Sequence, residues 1–158
     1  GTANAKGEAM RRDVAVINEG VDRGGSYMVA MKWVHSLDQF NHFDEQGQNE
    51  VFGRTKHTDI ELDEMPESSH VARVEIDGED GEALEIVRQG LPYGKASGEH
   101  GLYFLAYSAE LTRFEQMLDR MFGEQDDIFD RILSYSKAVR GNYCYVPSIE
   151  QLEAIGGN

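Results

Sequence analysis

Apolar positions follow two different periods along the chain, which predicts strands mixed with helices. A mostly apolar segment rich in β-branched and aromatic residues, 26–34, follows Gly24-Gly25 and predicts a buried strand. Residues 102–107 predict a second buried strand. Shorter apolar or alternating segments predict further strands, at residues 14–17, 72–76, 84–86 and 143–146.

Helical signals lie between these segments. Ser36 and Gln39 have the spacing of a capping box, which predicts that a helix starts there. A second helix is predicted over 44–52, with Gly53 as a natural stop. Residues 54–69 are polar and predict a long connection along the surface, and connections of that length are often functional.

The clearest helical pattern begins after Ser108, which is its predicted cap, and ends at Gly123. Its apolar positions recur at helical spacing and are Leu111, Phe114, Leu118, Met121 and Phe122. Another group at helical spacing predicts a helix that ends before Gly141; it consists of Ile128, Phe129, Ile132 and Leu133.

Turns and loops complete the prediction. Asp77-Gly78 and Asp80-Gly81 are turn signals, and residues 91–101 predict a glycine-bearing loop. Because strands and helices interleave around hairpins, the predicted fold class is α+β with an antiparallel sheet.

Composition narrows the range of functions. A chain of 158 residues fits one domain. Its 15 Lys and Arg against 29 Asp and Glu give a net charge of −14, which repels nucleic acid and anionic membrane surfaces. The apolar runs are shorter than the ~20 residues of a membrane helix. Cys144 is the only cysteine, so an internal disulfide is excluded and a reducing compartment is expected.

Few side chains suggest chemistry on their own. None of the five histidines pairs with another at i, i+4 on one helix, so a zinc site is not indicated. His70 stands at the predicted start of a strand, after a loop that contains Pro66, and strand ends are good places for a ligand. Arg88 ends the predicted strand that carries Leu84 and Ile86, where pairing with one of the many acids is the simpler interpretation.

Eight short segments, in this order, resemble the dye-decolourising peroxidases, most closely their bacterial branch. The resemblance spans nearly the whole chain. The segments are Gly1-Thr-Ala-Asn4, Gly25-Ser-Tyr27, Gly53-Arg-Thr-Lys56, Ser69-His-Val-Ala-Arg73, Ile86-Val-Arg88, Pro92-Tyr-Gly94, Gly101-Leu-Tyr-Phe104 and Pro147-Ser148.

The resemblance implies a fold and a cofactor. Members of that family bind heme b between the sheet and the helices of the second of two ferredoxin-like domains, and this chain resembles that second domain only. Residues 26–148 are then the heme-binding ferredoxin-like domain. Residues 1–25 are expected to continue from an N-terminal half, and residues 149–158 are expected to form a C-terminal tail.

On the proximal side of the heme, His70 in Ser-His-Val-Ala-Arg matches the family's iron ligand. A neutral imidazole that binds iron through Nε2 needs an acceptor for its other N–H, which raises its basicity. Asp130 is the residue expected to be that acceptor. The alternative for Asp130 is a surface acid on an acidic helix.

On the distal side, Arg88 matches the family's arginine, a fixed cation that stabilises charge as the peroxide O–O bond breaks. Leu102 and Phe104 resemble the apolar residues that keep the pocket narrow, although ordinary core positions would look the same. Arg54 resembles a position that reaches a heme propionate, and a plain surface arginine is the alternative. Gly90 departs from relatives that carry serine or asparagine there.

The first residue raises a separate question. Gly1 resembles the last glycine of the family's Gly-x-x-Asp-Gly motif, so the distal aspartate would immediately precede this chain. The three alternatives are a parent protein cleaved into two associated chains, a C-terminal fragment and a truncated gene product.

The implied function is a heme-dependent peroxidase that uses hydrogen peroxide to oxidise dyes or phenolic compounds, weakly active without its N-terminal half. A homo-oligomer in the cytoplasm is expected, with no nucleic-acid or membrane partner. Trp33 and the seven tyrosines are candidate electron relays. The alternatives are a non-catalytic ferredoxin-like interaction module and a protein for heme storage or iron release.

Overall fold

A computed structural model describes residues 8–78, 81–95 and 98–157. The segment Gly1-Thr-Ala-Asn4 and Asp80 of the predicted turn lie outside the described residues.

Four strands and six helices make up the described part of the chain. The strands are β1 (Ser26–His35), β2 (Val87–Gly94), β3 (His100–Ser108) and β4 (Ser136–Val146). The helices are α1 (Glu8–Ala15), α2 (Leu37–Phe40), α3 (Glu45–Phe52), α4 (His70–Val74), α5 (Leu111–Met121) and α6 (Ile149–Gly156), and a 3₁₀ turn covers Arg131–Ser134.

The strands form one antiparallel sheet in the order β2-β3-β1-β4. Helices α2 to α4 lie between β1 and β2, and α5 lies between β3 and β4. This β-α-β-β-α-β order is that of a ferredoxin-like domain. The predicted α+β class with an antiparallel sheet is therefore confirmed.

Helix α5 packs on one face of the sheet, which we call the inner face. Val29 of β1, Ala106 of β3 and Phe114 of α5 form the buried centre of this contact. Partly buried apolar side chains surround them; these are Tyr27, Met31, Ile86, Phe104 and Leu111. Because successive strand residues point to opposite faces, every second residue of β1 and β3 from Val29 and Ala106 lies on this inner face.

The long, strongly patterned elements are confirmed. Strands β1 and β3 and helices α3 and α5 lie where the sequence predicts them, and α3 ends at Gly53, whose φ is +82°. Two caps differ from expectation. Ser36 makes no side-chain cap to α2, and α5 is preceded by Glu110, whose backbone N–H donates to Ser108 Oγ at 3.1 Å.

Three predicted strands are wrong. Residues 14 and 15 are the last two of α1, residues 16 and 17 follow it without strand structure, and residues 72–74 belong to helix α4. Residues 84–86 precede β2, which begins at Val87; they are linked to the chain before them by an isolated bridge, Asp77 to Ala83, and by a hydrogen bond from Leu84 N–H to Ile76 O at 2.9 Å. Each of these segments has at most five residues, so a period of two cannot be told from a single helical turn.

Two further predictions fail because sheet pairing outweighs local preference. The expected loop 91–101 begins as strand, since 91–94 belong to β2. Pro92 is compatible with a strand there because β2 lies at the edge of the sheet. The helix expected over 128–133 is only the 3₁₀ turn, and the last strand is longer than predicted because 136–146 pair with β1.

None of the helices in the described ranges combines the length and the apolar character that crossing a membrane requires.

Replacing Gly53 with Ala should destabilise the fold more than replacing Gly20. Both glycines have left-handed φ, +82° and +78°. A Cβ on Gly53 would lie 2.7 Å from Ser69 Oγ and 2.9 Å from Met65 Sδ, whereas one on Gly20 meets nothing within 4 Å. We expect a loss of roughly 1–2 kcal/mol for Gly20→Ala and ~2–4 kcal/mol for Gly53→Ala.

The free energies of unfolding in urea measure both losses. Equal losses for the two variants would show that the close approach at Gly53 relaxes freely.

Candidate functional site

His70 is the first residue of helix α4, which is capped by the preceding serine. Ser69 is fully buried, and its Oγ accepts a hydrogen bond from the backbone N–H of Ala72 at 3.3 Å. His70 therefore lies at a helix N-terminus, not at the start of a strand as predicted. Ser69 is a typical helix N-cap, but the alternating apolar residues that follow it favoured a strand in the sequence analysis.

The His70 ring is held by a buried carboxylate. Its Nδ1 lies 2.7 Å from Asp130 Oδ2, and Asp130 is 1% exposed. A carboxylate can only accept, so Nδ1 carries the proton and Nε2 of the neutral ring keeps its lone pair. No hydrogen bond to Nε2 occurs among the described residues, and the side chain is 26% exposed. The imidazole can thus offer Nε2 to a ligand.

Asp130 is fixed by the fold around it. Its second oxygen, Oδ1, accepts from the backbone N–H of Ile132 at 2.9 Å and caps the 3₁₀ turn. Its own backbone N–H donates to Met121 O at 2.8 Å, and the N–H of Arg131 donates to Ser68 O at 2.8 Å. The alternative of a surface acid on a helix is therefore wrong.

Three of the predicted distal residues share the inner face of the sheet. In the β2–β3 register Arg88 is opposite Ala106, while Gly90 and Pro92 are opposite Phe104 and Leu102. The period of two along each strand therefore puts the side chains of Arg88, Phe104 and Leu102 on one face. This is the face that carries helix α5.

Gly90 lies between these residues, and the Leu102 side chain borders the position that its Cβ would take. A Cβ at Gly90 would lie 3.1 Å from Leu102 Cδ1. A serine or asparagine at this position would therefore press against Leu102 or require it to move.

Arg88 is a partly buried cation that has no hydrogen-bond partner within the described ranges. Burial lowers its pKa from the ordinary value; Glu75 and Asp59 oppose this shift, and the nearby charge of Arg54 adds to it. Arginine nevertheless stays charged at neutral pH. A fixed positive charge on an apolar face attracts a small anion or a developing negative charge.

Arg54 already has acidic partners. Its Nη2 donates to Glu61 Oε1 at 2.6 Å and to Glu75 Oε1 at 3.0 Å, and an isolated bridge pairs Arg54 with Glu61. Any further carboxylate would compete with these two. Glu75, the residue directly after α4, accepts a hydrogen bond from Arg54 and is also close enough to Arg88 to raise its pKa. Arg54 and Arg88 therefore lie near each other.

An ion pair between buried Arg73 and the more exposed Asp126 was missed by reasoning from the sequence. Arg73 is 1% exposed, and its Nη1 and Nη2 donate to the two carboxylate oxygens of Asp126, each at 2.8 Å. Its Nε and Nη2 also donate to Arg120 O, at 3.0 and 2.5 Å. The hydrogen bond from Arg73 holds the pKa of Asp126 below its ordinary value. The one available signal was a charged residue within the Ser-His-Val-Ala-Arg segment.

The fold is that of a ferredoxin-like α+β domain. Its site consists of His70, which is hydrogen-bonded to the Asp130 carboxylate, and Arg88 on the inner face of the sheet. The family described as Dyp-type peroxidase, C-terminal, matches residues 1–151. The chain belongs to this family, which confirms the resemblance seen in the motifs.

Individual relatives agree with this assignment. Dye-decolorizing peroxidases of Rhodococcus erythropolis and Mycobacterium tuberculosis are 39% and 38% identical over 158 residues, covering 97% of this chain and 46% and 47% of those proteins. A dye-decolorizing protein from V. cholerae has a TM-score of 0.92 and 44% identity over 98% of this chain and 51% of its own. DyPB from Rhodococcus jostii has a TM-score of 0.91 and 36% identity, with the same coverage. The chain spans about half the length of these relatives.

Replacing Asp130 with Asn should reverse the protonation of the His70 ring. The amide oxygen of the new asparagine would accept from the Ile132 N–H, as Asp130 Oδ1 does now, and the amide NH₂ would then face His70 Nδ1. Because an NH₂ group donates, Nδ1 must accept, and the ring proton moves to Nε2. Long-range ¹H–¹⁵N NMR of the chain, at a pH where the ring is neutral, distinguishes the two tautomers.

Asp119→Asn, an exposed position on α5, is the control and should leave the tautomer unchanged. A Nδ1–H tautomer that persists in Asp130→Asn would show that Asp130 does not set the protonation of the ring.

Proposed function

We propose that this chain is the heme-binding, C-terminal part of a peroxidase that uses hydrogen peroxide to oxidise dyes or phenolic compounds. The observation that carries the proposal is the His70–Asp130 pair, which leaves Nε2 free at a partly exposed helix start. In support, a variant of Rhodococcus jostii DypB with 35% identity is described in complex with heme.

The chemistry of the site fits a heme. A neutral imidazole with its second nitrogen bound to a carboxylate is a strong iron ligand, so His70 would hold the iron. Leu102 and Phe104, both half-buried on the inner face, would supply apolar contacts to the bound heme. Arg54 fits a propionate less well, because that propionate would have to displace Glu61 or Glu75.

Heme, when bound, supplies the iron that reacts with peroxide and accepts electrons from the reductant. Asp130 keeps the proton at His70 Nδ1, so the electron pair of Nε2 stays directed at the ligand. The unpaired guanidinium of Arg88 stabilises negative charge on the peroxide oxygens. Leu102 and Phe104 exclude water, which strengthens the effect of that charge.

The intact protein would contain more than this chain. The relatives are about twice as long, which supports an N-terminal half as the partner that supplies the acid–base group for peroxide. A relative from Mycobacterium smegmatis is an encapsulated DyP-type peroxidase, which supports a place for the intact protein in a larger assembly. A homo-oligomer is part of the same proposal. Cys144, a lone cysteine, suits a reducing compartment such as the cytoplasm.

His70→Ala should abolish heme binding, because no other group replaces Nε2 as the iron ligand. Titration of the purified chain with hemin, followed by the Soret absorption band, measures binding. His57→Ala is the matched control, since His57 has a 72% exposed side chain and should leave the band unchanged.

An unchanged Soret band in His70→Ala would overturn the ligand assignment. Absence of the band from the unmodified chain, even with excess hemin, would favour the non-catalytic interaction module.

Arg88→Leu should keep the heme but slow its reaction with hydrogen peroxide by roughly 10²–10³, the usual cost of removing one charge-stabilising donor. Stopped-flow absorption after mixing with peroxide measures the rate. Arg140→Leu is the control, because Arg140 is opposite Lys32 in the register and therefore lies on the outer face.

A peroxide rate in Arg88→Leu equal to that of Arg140→Leu would show that Arg88 does not act on the peroxide. Heme binding without peroxide-dependent dye oxidation in the unmodified chain would instead favour heme storage or iron release.

A further inference from the structure

Arg73 is a charged side chain in a place where charge is costly. It is among the largest fully buried side chains, at 1% exposure, and it stands one turn after His70 on helix α4. Its partner Asp126 is 33% exposed, so the carboxylate stays partly solvated while the guanidinium is withdrawn from water, and a buried cation costs free energy that its hydrogen bonds must offset. Its presence therefore suggests a role in fixing a geometry.

All hydrogen bonds of the Arg73 guanidinium go to one stretch of chain. They reach Arg120 O at the end of α5 and both oxygens of Asp126, which lies in the segment 122–130 between α5 and the 3₁₀ turn. Asp126 Oδ1 also accepts from the backbone N–H of Ile128 at 3.1 Å. The guanidinium thus fixes the shape of the segment as well as its distance from α4.

The segment needs such a fixed point, since it has no regular helix or strand of its own. Two of its residues, Gly123 and Asp127, have left-handed φ values of +70° and +60°. Asp127 is not a glycine, so its conformation is held by its surroundings.

Two side-chain pairs, one hydrogen-bonded and one an ion pair, join the same two pieces of chain side by side. His70 and Arg73 project from α4, and they meet Asp130 and Asp126 of the segment. A bidentate guanidinium–carboxylate pair allows little freedom of angle or distance, so the Arg73–Asp126 pair restricts where Asp130 can lie.

We propose that Arg73 and Asp126 are positioning residues that hold the Asp130 carboxylate against Nδ1 of His70. They thereby fix the tautomer and the orientation of the ring, and with it the direction of Nε2. The inference rests on the proposed function only for the identity of the ligand at Nε2.

Arg73→Lys tests the inference because lysine keeps the charge and loses the bidentate geometry. Long-range ¹H–¹⁵N NMR of the heme-free chain, at a pH where the ring is neutral, should show one His70 tautomer in the unmodified chain. The variant should show a mixture of two. Asp126→Asn, which keeps one acceptor and is milder for folding, should shift the mixture in the same direction.

Arg113→Lys is the matched control. Arg113 also donates to a carboxylate and to a main-chain carbonyl, Glu110 Oε1 at 2.7 Å and Glu85 O at 3.1 Å, and it makes no contact with Asp126 or Asp130. This variant also removes an arginine's contacts to a carboxylate and a carbonyl, and it should keep the single His70 tautomer; its free energy of unfolding is measured beside that of Arg73→Lys. That comparison separates positioning from a general loss of stability.

A combined variant shows whether Arg73 acts through Asp130. In the Asp130→Asn background, adding Arg73→Lys should cause no further change in the tautomer, because the group that Arg73 positions is already altered. With hemin bound, the iron–histidine stretching frequency in resonance Raman spectra should shift in Arg73→Lys in the same direction as in Asp130→Asn.

A single, unmodified tautomer in both Arg73→Lys and Asp126→Asn would overturn the inference, whatever their stability. The NMR result does not depend on heme. Failure of heme binding in the unmodified chain would therefore contradict the proposed function and leave the positioning inference standing.

Discussion

The hydrogen bond between the buried Asp130 carboxylate and His70 Nδ1 is the interaction on which the rest of the site depends. One oxygen of that carboxylate caps the 3₁₀ turn before β4, and the other meets the ring. The same group therefore completes the fold and prepares the histidine. A buried acid costs free energy unless its oxygens are bonded, and here both are. A substitution of Asp130 would therefore change both the stability of the 3₁₀ turn and the protonation of His70.

Three arginines near the site show how the surroundings give one residue type three different roles. Arg73 is buried and fully paired, so it can act only as a structural link. Arg54 is half-buried and shared by two glutamates, so its charge is largely neutralised. Arg88 has no hydrogen bond among the described residues, so its field remains available to a ligand. In a chain of net charge −14, an unpaired cation on an apolar face stands out.

The sequence predicted what depends on long patterns or on short motifs. The strands β1 and β3 and the helices α3 and α5 have enough apolar positions to define a period, whereas residues 72–76 do not, and they proved partly helical. His70 and Arg88 were found through motifs, and register then placed Arg88 with Leu102 and Phe104 on one face. Asp130 was expected as the acceptor for His70 only through the resemblance, and neither its burial nor the pairing of Arg73 could be derived from the local sequence pattern. They depend on contacts between residues 60 and 53 positions apart, which no local pattern encodes.

Two side-chain pairs, His70–Asp130 and Arg73–Asp126, join α4 to the segment 122–130. They limit the insertions and deletions that this segment can accept. His70 and Arg73 are three residues apart on a helix, and Asp126 and Asp130 are four apart on an irregular backbone, so the two spacings match only at one loop length. A single inserted residue between the two aspartates would leave one pair intact and break the other. Surface loops usually accept such insertions readily. In this protein the count of residues between Asp126 and Asp130 is as constrained as their identity.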